Sequence, residues 1–106
     1  MLDRMPIPGK IIKFNRSTAP NTWDLNSGYL ESFFKGLEAY LNEYLNVRGY
    51  LTWETLCCNL GIETTPDEIE QMRVLRKEEC PNGFSICRMQ SADGNEWILH
   101  LEVNHG

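Results

Sequence analysis

The sequence predicts an α+β fold in which three helices are followed by a β-hairpin, and three observations carry that reading. Apolar residues recur at spacings of three and four at Tyr29, Leu30, Phe33, Phe34, Leu37, Tyr40, Leu41, Tyr44 and Leu45, the stripe of an amphipathic helix. Capping signals bound two further helices: Thr52 before WETLCCNL with Gly61 after it, and Thr65 followed by Pro66 and Glu68. Near the end, FSICRMQ and EWILHLEVN flank SADGN, whose Asp93-Gly94 step favours a hairpin turn.

Each element follows in chain order. Pro6, Pro8 and Gly9 precede the short β-prone run IIKF, so residues 1–27 read as an N-terminal arm with one short strand. Residues 28–106 read as a single compact α+β domain. Its first helix runs from about residue 28 to 46, capped by Asn26 or Ser27, with Lys35, Glu38, Asn42 and Glu43 on the side opposite the stripe. Gly49 ends it, Tyr50 and Leu51 form a very short extended segment, and WETLCCNL is the second helix. The third spans residues 65–79, with Ile69, Met72 and Leu75 on its packed side and a capping box at Thr65 and Glu68. In the closing hairpin Trp97, Leu99, Leu101 and Val103 alternate onto one face. This order resembles a winged helix-turn-helix, with Tyr50-Leu51 as the short first strand and residues 84–103 as the wing.

A length of 106 residues and a mass of 12.3 kDa allow one core and exclude most large catalytic folds, while 42% apolar and 24% charged residues exclude a disordered chain. The net charge of -5 divides unevenly: residues 1–20 hold Arg4, Lys10, Lys13 and Arg16 against Asp3, a local +3 that leaves -8 on the rest. No apolar run reaches the roughly 20 residues that cross a bilayer and no secretory leader is recognisable, so a cytoplasmic location is the default. In that setting Cys57, Cys58, Cys80 and Cys87 are expected as free thiols. Neighbouring residues on a helix point about 100° apart, so one of Cys57 and Cys58 can be buried while the other is not.

The chemistry-bearing residues form no recognisable catalytic pattern. A metal could draw on Cys57, Cys58, Cys80, Cys87, His100 and His105, but their spacing matches no strong zinc motif, and Cys87 meets His100 only in one strand register. No metal or other cofactor is therefore assigned. Covalent catalysis would need an activated thiol with His100 or His105 as base, and Glu78 and Glu79 read as solvated surface acids. Phosphate-binding loops are absent, so the chain is expected to be non-enzymatic. Asp67, Glu68 and Glu70 crowd the start of the third helix, ahead of Arg73, Arg76 and Lys77, a pattern that disfavours nucleic acid there.

The segments LNVRGYLTWETLCCNLGI and WILHLEVNHG resemble a group of uncharacterised small proteins of phages and mobile elements of Gram-positive bacteria. In that group an Asn/Arg-Gly-aromatic turn leads into a helix ending in Leu-Gly, and a later strand is matched here by Ile98 to Gly106. The resemblance covers about half the chain and transfers no catalytic residue. It implies a small accessory protein, including one that inhibits or diverts host machinery.

The expected function is accordingly a non-enzymatic protein-interaction module acting by occlusion of a host protein. Tyr50, Trp53, Glu54, Asp67, Glu68 and Glu70 are its expected partner-binding surface, with acids steering a basic partner and apolar side chains making close contact. A protein is the expected partner, nucleic acid the disfavoured one, and no membrane is involved. The alternative is a winged helix-turn-helix transcriptional regulator, whose dimer would set two third helices in successive major grooves of DNA.

Overall fold

The computed structural model describes residues 4–105, so Asp3 of the basic arm and Gly106 of the closing motif lie outside the described residues. The apolar stripe forms helix α1, Ser27–Arg48, which starts where Asn26 Oδ1 accepts the Tyr29 amide at 3.1 Å and ends where the Gly49 amide donates to Leu45. Its buried residues Leu30, Phe34, Leu37, Leu41 and Leu45 fall at the spacing of one helix face. Three antiparallel strands share the core with it: β1 (Ile12–Asn15), β4 (Phe84–Gln90) and β5 (Glu96–Val103), in the order β1-β5-β4.

The strand of the amino-terminal arm is thus an edge of the main sheet, with Ile12 opposite Leu99 and Phe14 opposite Trp97. Phe34 lies edge-on to both Phe14 and Trp97, at ring-centroid distances of 5.1 and 5.3 Å, within the range where aromatic pairs attract beyond their burial.

The opposite edge, β4, is closed by side chains of α1. Asn42 Oδ1 accepts from the Phe84 amide at 2.9 Å, and Asn42 Nδ2 donates to the Phe84 carbonyl at 2.8 Å. One turn earlier Glu38 accepts from the Ile86 amide at 2.6 Å. Farther along, Glu31 pairs with Arg88 at 2.8 Å and Ser27 accepts from Gln90. Glu38 and Asn42 were expected on an outward face; instead they occupy backbone groups that an uncovered edge strand would offer to another chain.

Between α1 and the hairpin lie β2 (Tyr50–Leu51), α2 (Trp53–Leu60), α3 (Pro66–Gln71), β3 (Leu75–Arg76) and one 3₁₀ turn at Lys77–Glu79. Thr52 caps α2 and Gly61 ends it. Of the adjacent cysteines, Cys57 is buried and Cys58 exposed, as helical geometry requires. Burial, followed by the nearby Glu68 charge, pushes the Cys57 thiol up to about 12.

The third helix departs from its expected span of 65–79, stopping at Gln71. The Met5 amide donates to Gln71 O at 2.8 Å and the Arg73 amide to Met5 O at 2.7 Å, while Leu75 and Arg76 pair with Leu51 and Tyr50. These partners take up the backbone groups that further helical turns would have used, so Met72 and Leu75 are buried from extended backbone. The capping box is also half-formed: Thr65 accepts the Glu68 amide, but the Glu68 carboxylate turns to the Thr64 hydroxyl. Tyr50-Leu51 pairs with β3 in a separate two-stranded sheet, and the strand beside the hairpin comes from the arm.

The resulting architecture is α+β, three helices followed by a β-hairpin, with a winged helix-turn-helix-like topology. Such an arrangement belongs to non-catalytic binding domains and is typically associated with nucleic acid. That corrects the expectation that nucleic acid is a disfavoured partner, which rested on whole-chain acidity and on Asp67, Glu68 and Glu70 at the start of the third helix. No described helix is long and apolar enough to cross a membrane.

Gly61 tests how the arm is docked. It has φ +77, and a Cβ there would stand 1.9 Å from Thr22 Oγ1. Gly61→Ala is expected to cost about 2 kcal/mol, from the left-handed backbone and the displaced threonine together, read as a lower urea midpoint at unchanged slope.

Candidate functional site

The short β2–β3 ladder sets two exposed side chains directly opposite each other, Tyr50 and Arg76, while their neighbours Leu51 and Leu75 are buried. Strand alternation makes this separation automatic. Arg48, in the last turn of α1, holds its guanidinium 5.7 Å from the centre of the Tyr44 ring, a cation–π distance. Lys77 follows Arg76, and its amide donates to Gly49 O at 3.0 Å, which holds the strand end against the end of α1. Arg73 is exposed and only loosely paired with Glu79, at 3.9 Å. Of these cations, Arg76 stands opposite Tyr50, while Arg48 and Lys77 flank the paired strands in sequence and the Lys77 ammonium donates to Pro81 O at 3.2 Å.

Of the residues expected to bind a partner, all are exposed except Trp53. Tyr50 pairs with Arg76 across the β2–β3 ladder. Trp53 is buried, and its Nε1 donates to Thr64 Oγ1 at 3.2 Å; the Thr64 hydroxyl in turn donates to Glu68 at 2.7 Å. Trp53 and Glu68 both line a cleft of about 530 Å³ between α2, α3 and the edge strand β1, together with Lys10, Lys13 and Glu63. Glu54, Asp67 and Glu70 are exposed to solvent. Asp67 and Glu68 occupy the first turn of α3, where negative side chains favour the helix dipole.

Thr64 and Arg48 escaped the sequence reading. Arg48 becomes significant only once β2 is paired with β3, and a two-residue strand leaves almost no sequence signal for that pairing. Thr64 reads as a loop residue because nothing in the sequence tells that the Trp53 ring turns back to it.

A second cluster lies on the face of the main sheet away from α1. The register places Cys87 opposite His100, and Glu102 follows His100 on the same face of β5. The Cys87 thiol lies 3.2 Å from Glu102 Oε2. That hydrogen bond, followed by partial burial, holds the thiol above its ordinary range. Cys80 is buried and likewise raised, chiefly by burial. The chain matches no protein-family model, no curated protein and no solved structure.

Proposed function

We propose that this chain is a DNA-binding regulator that meets the phosphate backbone with its β2–β3 face rather than with α3. The observation that carries this reading is the pairing of exposed Tyr50 with exposed Arg76, with Arg48 and Lys77 adjacent in sequence to the two strands, on a winged helix-turn-helix-like frame. Guanidinium and ammonium groups bind phosphate oxygens, and an exposed tyrosine can donate to a phosphate or stack. The six-residue α3 presents Asp67, Glu68 and Glu70 to solvent, so it would repel phosphate where a reading helix normally enters the groove. The resemblance to small proteins of phages and mobile elements is in keeping with a compact regulator carried by such an element.

Fluorescence anisotropy on a labelled random-sequence duplex, repeated across a salt series, tests this proposal. The native chain is expected to bind with a negative slope of log K against log salt. The pair Arg76→Ala with Lys77→Ala weakens binding and flattens that slope by about 1 for each phosphate left without its cation. Absence of binding at low salt, or an unchanged slope in the variant, would overturn the proposal.

A further inference from the structure

The geometry points to a divalent transition-metal site, of the zinc class, formed by Cys87, His100 and Glu102 on the solvent face of the β-hairpin. One ligand atom from each residue lies within 4.8 Å of the other two. A tetrahedral zinc ion with ordinary sulfur, nitrogen and oxygen bonds holds its donors about 3.4–3.6 Å apart. The thiol and carboxylate already stand at 3.2 Å, so side-chain rotation alone can bring the three donors round one ion.

Three features favour a bound ion over a chance meeting of polar side chains. The donors are chemically mixed, one sulfur, one imidazole and one carboxylate, a set that suits zinc and cobalt far better than calcium or magnesium. They stand on paired strands rather than on loops, since Cys87 and His100 are directly opposite and the same ladder continues to Ser85 and Glu102, so the backbone fixes their separation in advance. Finally, Cys87 and Glu102 line an open cleft with Ser85, Asn104 and His105, so solvent reaches two of the three donors. Binding exchanges one bond for another without redox change: the Cys87 thiol gives its proton to solvent as the metal–sulfur bond forms, and the thiol–carboxylate hydrogen bond is replaced by two bonds to the ion.

The ion would tie β4 to β5 across the wing, away from the basic β2–β3 face, so this site stands or falls independently of DNA binding. The test is titration of the reduced, metal-free full-length protein with Co²⁺ and then Zn²⁺. One equivalent of Co²⁺ should produce a near-ultraviolet thiolate charge-transfer band together with the visible bands of a four-coordinate ion, and Zn²⁺ should abolish both. Cys87→Ser and His100→Ala should lose the bands while keeping native circular dichroism, and Cys58→Ser should keep them. No charge-transfer band from the native chain, or a band that survives Cys87→Ser, would overturn the site. Loss of the band in Cys58→Ser would also overturn it.

Discussion

Phe34→Ala is expected to destabilise the protein by about 3–5 kcal/mol, the usual cost of emptying a fully buried aromatic position. Phe34 has no exposed surface and sits where α1 meets the sheet, touching Phe14 on β1, Trp97 on β5 and Phe33 on its own helix. Its removal leaves a void bounded by three rigid rings, which cannot collapse as flexible aliphatic side chains can. A chain of this size has about 5–15 kcal/mol of total stability, so the variant keeps only a fraction of it. Equilibrium denaturation would show the midpoint falling steeply. Phe34→Leu, which fills most of the void, should recover much of the stability.

Asn42→Ala is expected to cost about 2–3 kcal/mol by a different route. Its amide satisfies both backbone groups of Phe84 and also donates to Glu38 O at 2.8 Å. Alanine leaves a partly buried N–H and C=O unpaired, and such orphaned groups cost about 1–3 kcal/mol each before water compensates. Gly83 supports the contact: it has φ +79, and a Cβ there would stand 2.5 Å from Asn42 Oδ1, so only glycine lets the clasp close. Hydrogen exchange separates this effect from general destabilisation. In Asn42→Ala the Phe84 amide should exchange much faster than the global destabilisation accounts for, whereas the Leu99 amide of the central strand should follow global stability. A freed β4 edge should also raise concentration-dependent association.

These two effects mark the boundary of what was legible in the sequence. The apolar stripe of α1 was plain because a 22-residue helix repeats its signal over many turns. The caps at Asn26, Thr52 and Thr65 were readable because capping is local chemistry, as was the hairpin bounded by Asp93-Gly94. Features decided by distant partners were not readable. Glu38 and Asn42 have the composition of a solvent face, and only the position of β4 turns them inward. Met72 and Leu75 keep a spacing that suits a helix, yet Met5 and Tyr50–Leu51 claim that backbone for bridging. Trp53 looked like an exposed anchor because no sequence rule separates a core tryptophan from an interface one.

The same limit applies to function. A whole-chain charge of -5 argued against phosphate, but charge acts through local faces, and the placing of Arg76 opposite Tyr50 depends on a two-residue strand pairing. Likewise Cys87 and His100 were separate candidates until register set them opposite each other, and Glu102 joined them only through strand alternation.

The claim that the β2–β3 face, and not α3, meets nucleic acid is tested most directly by following backbone amide signals by NMR while a short DNA duplex is added at low salt. The account predicts that the largest shifts cluster at Arg48, Tyr50, Arg76 and Lys77, with Asp67 to Glu70 nearly unmoved. Shifts concentrated on α3, or no shifts anywhere, would contradict it.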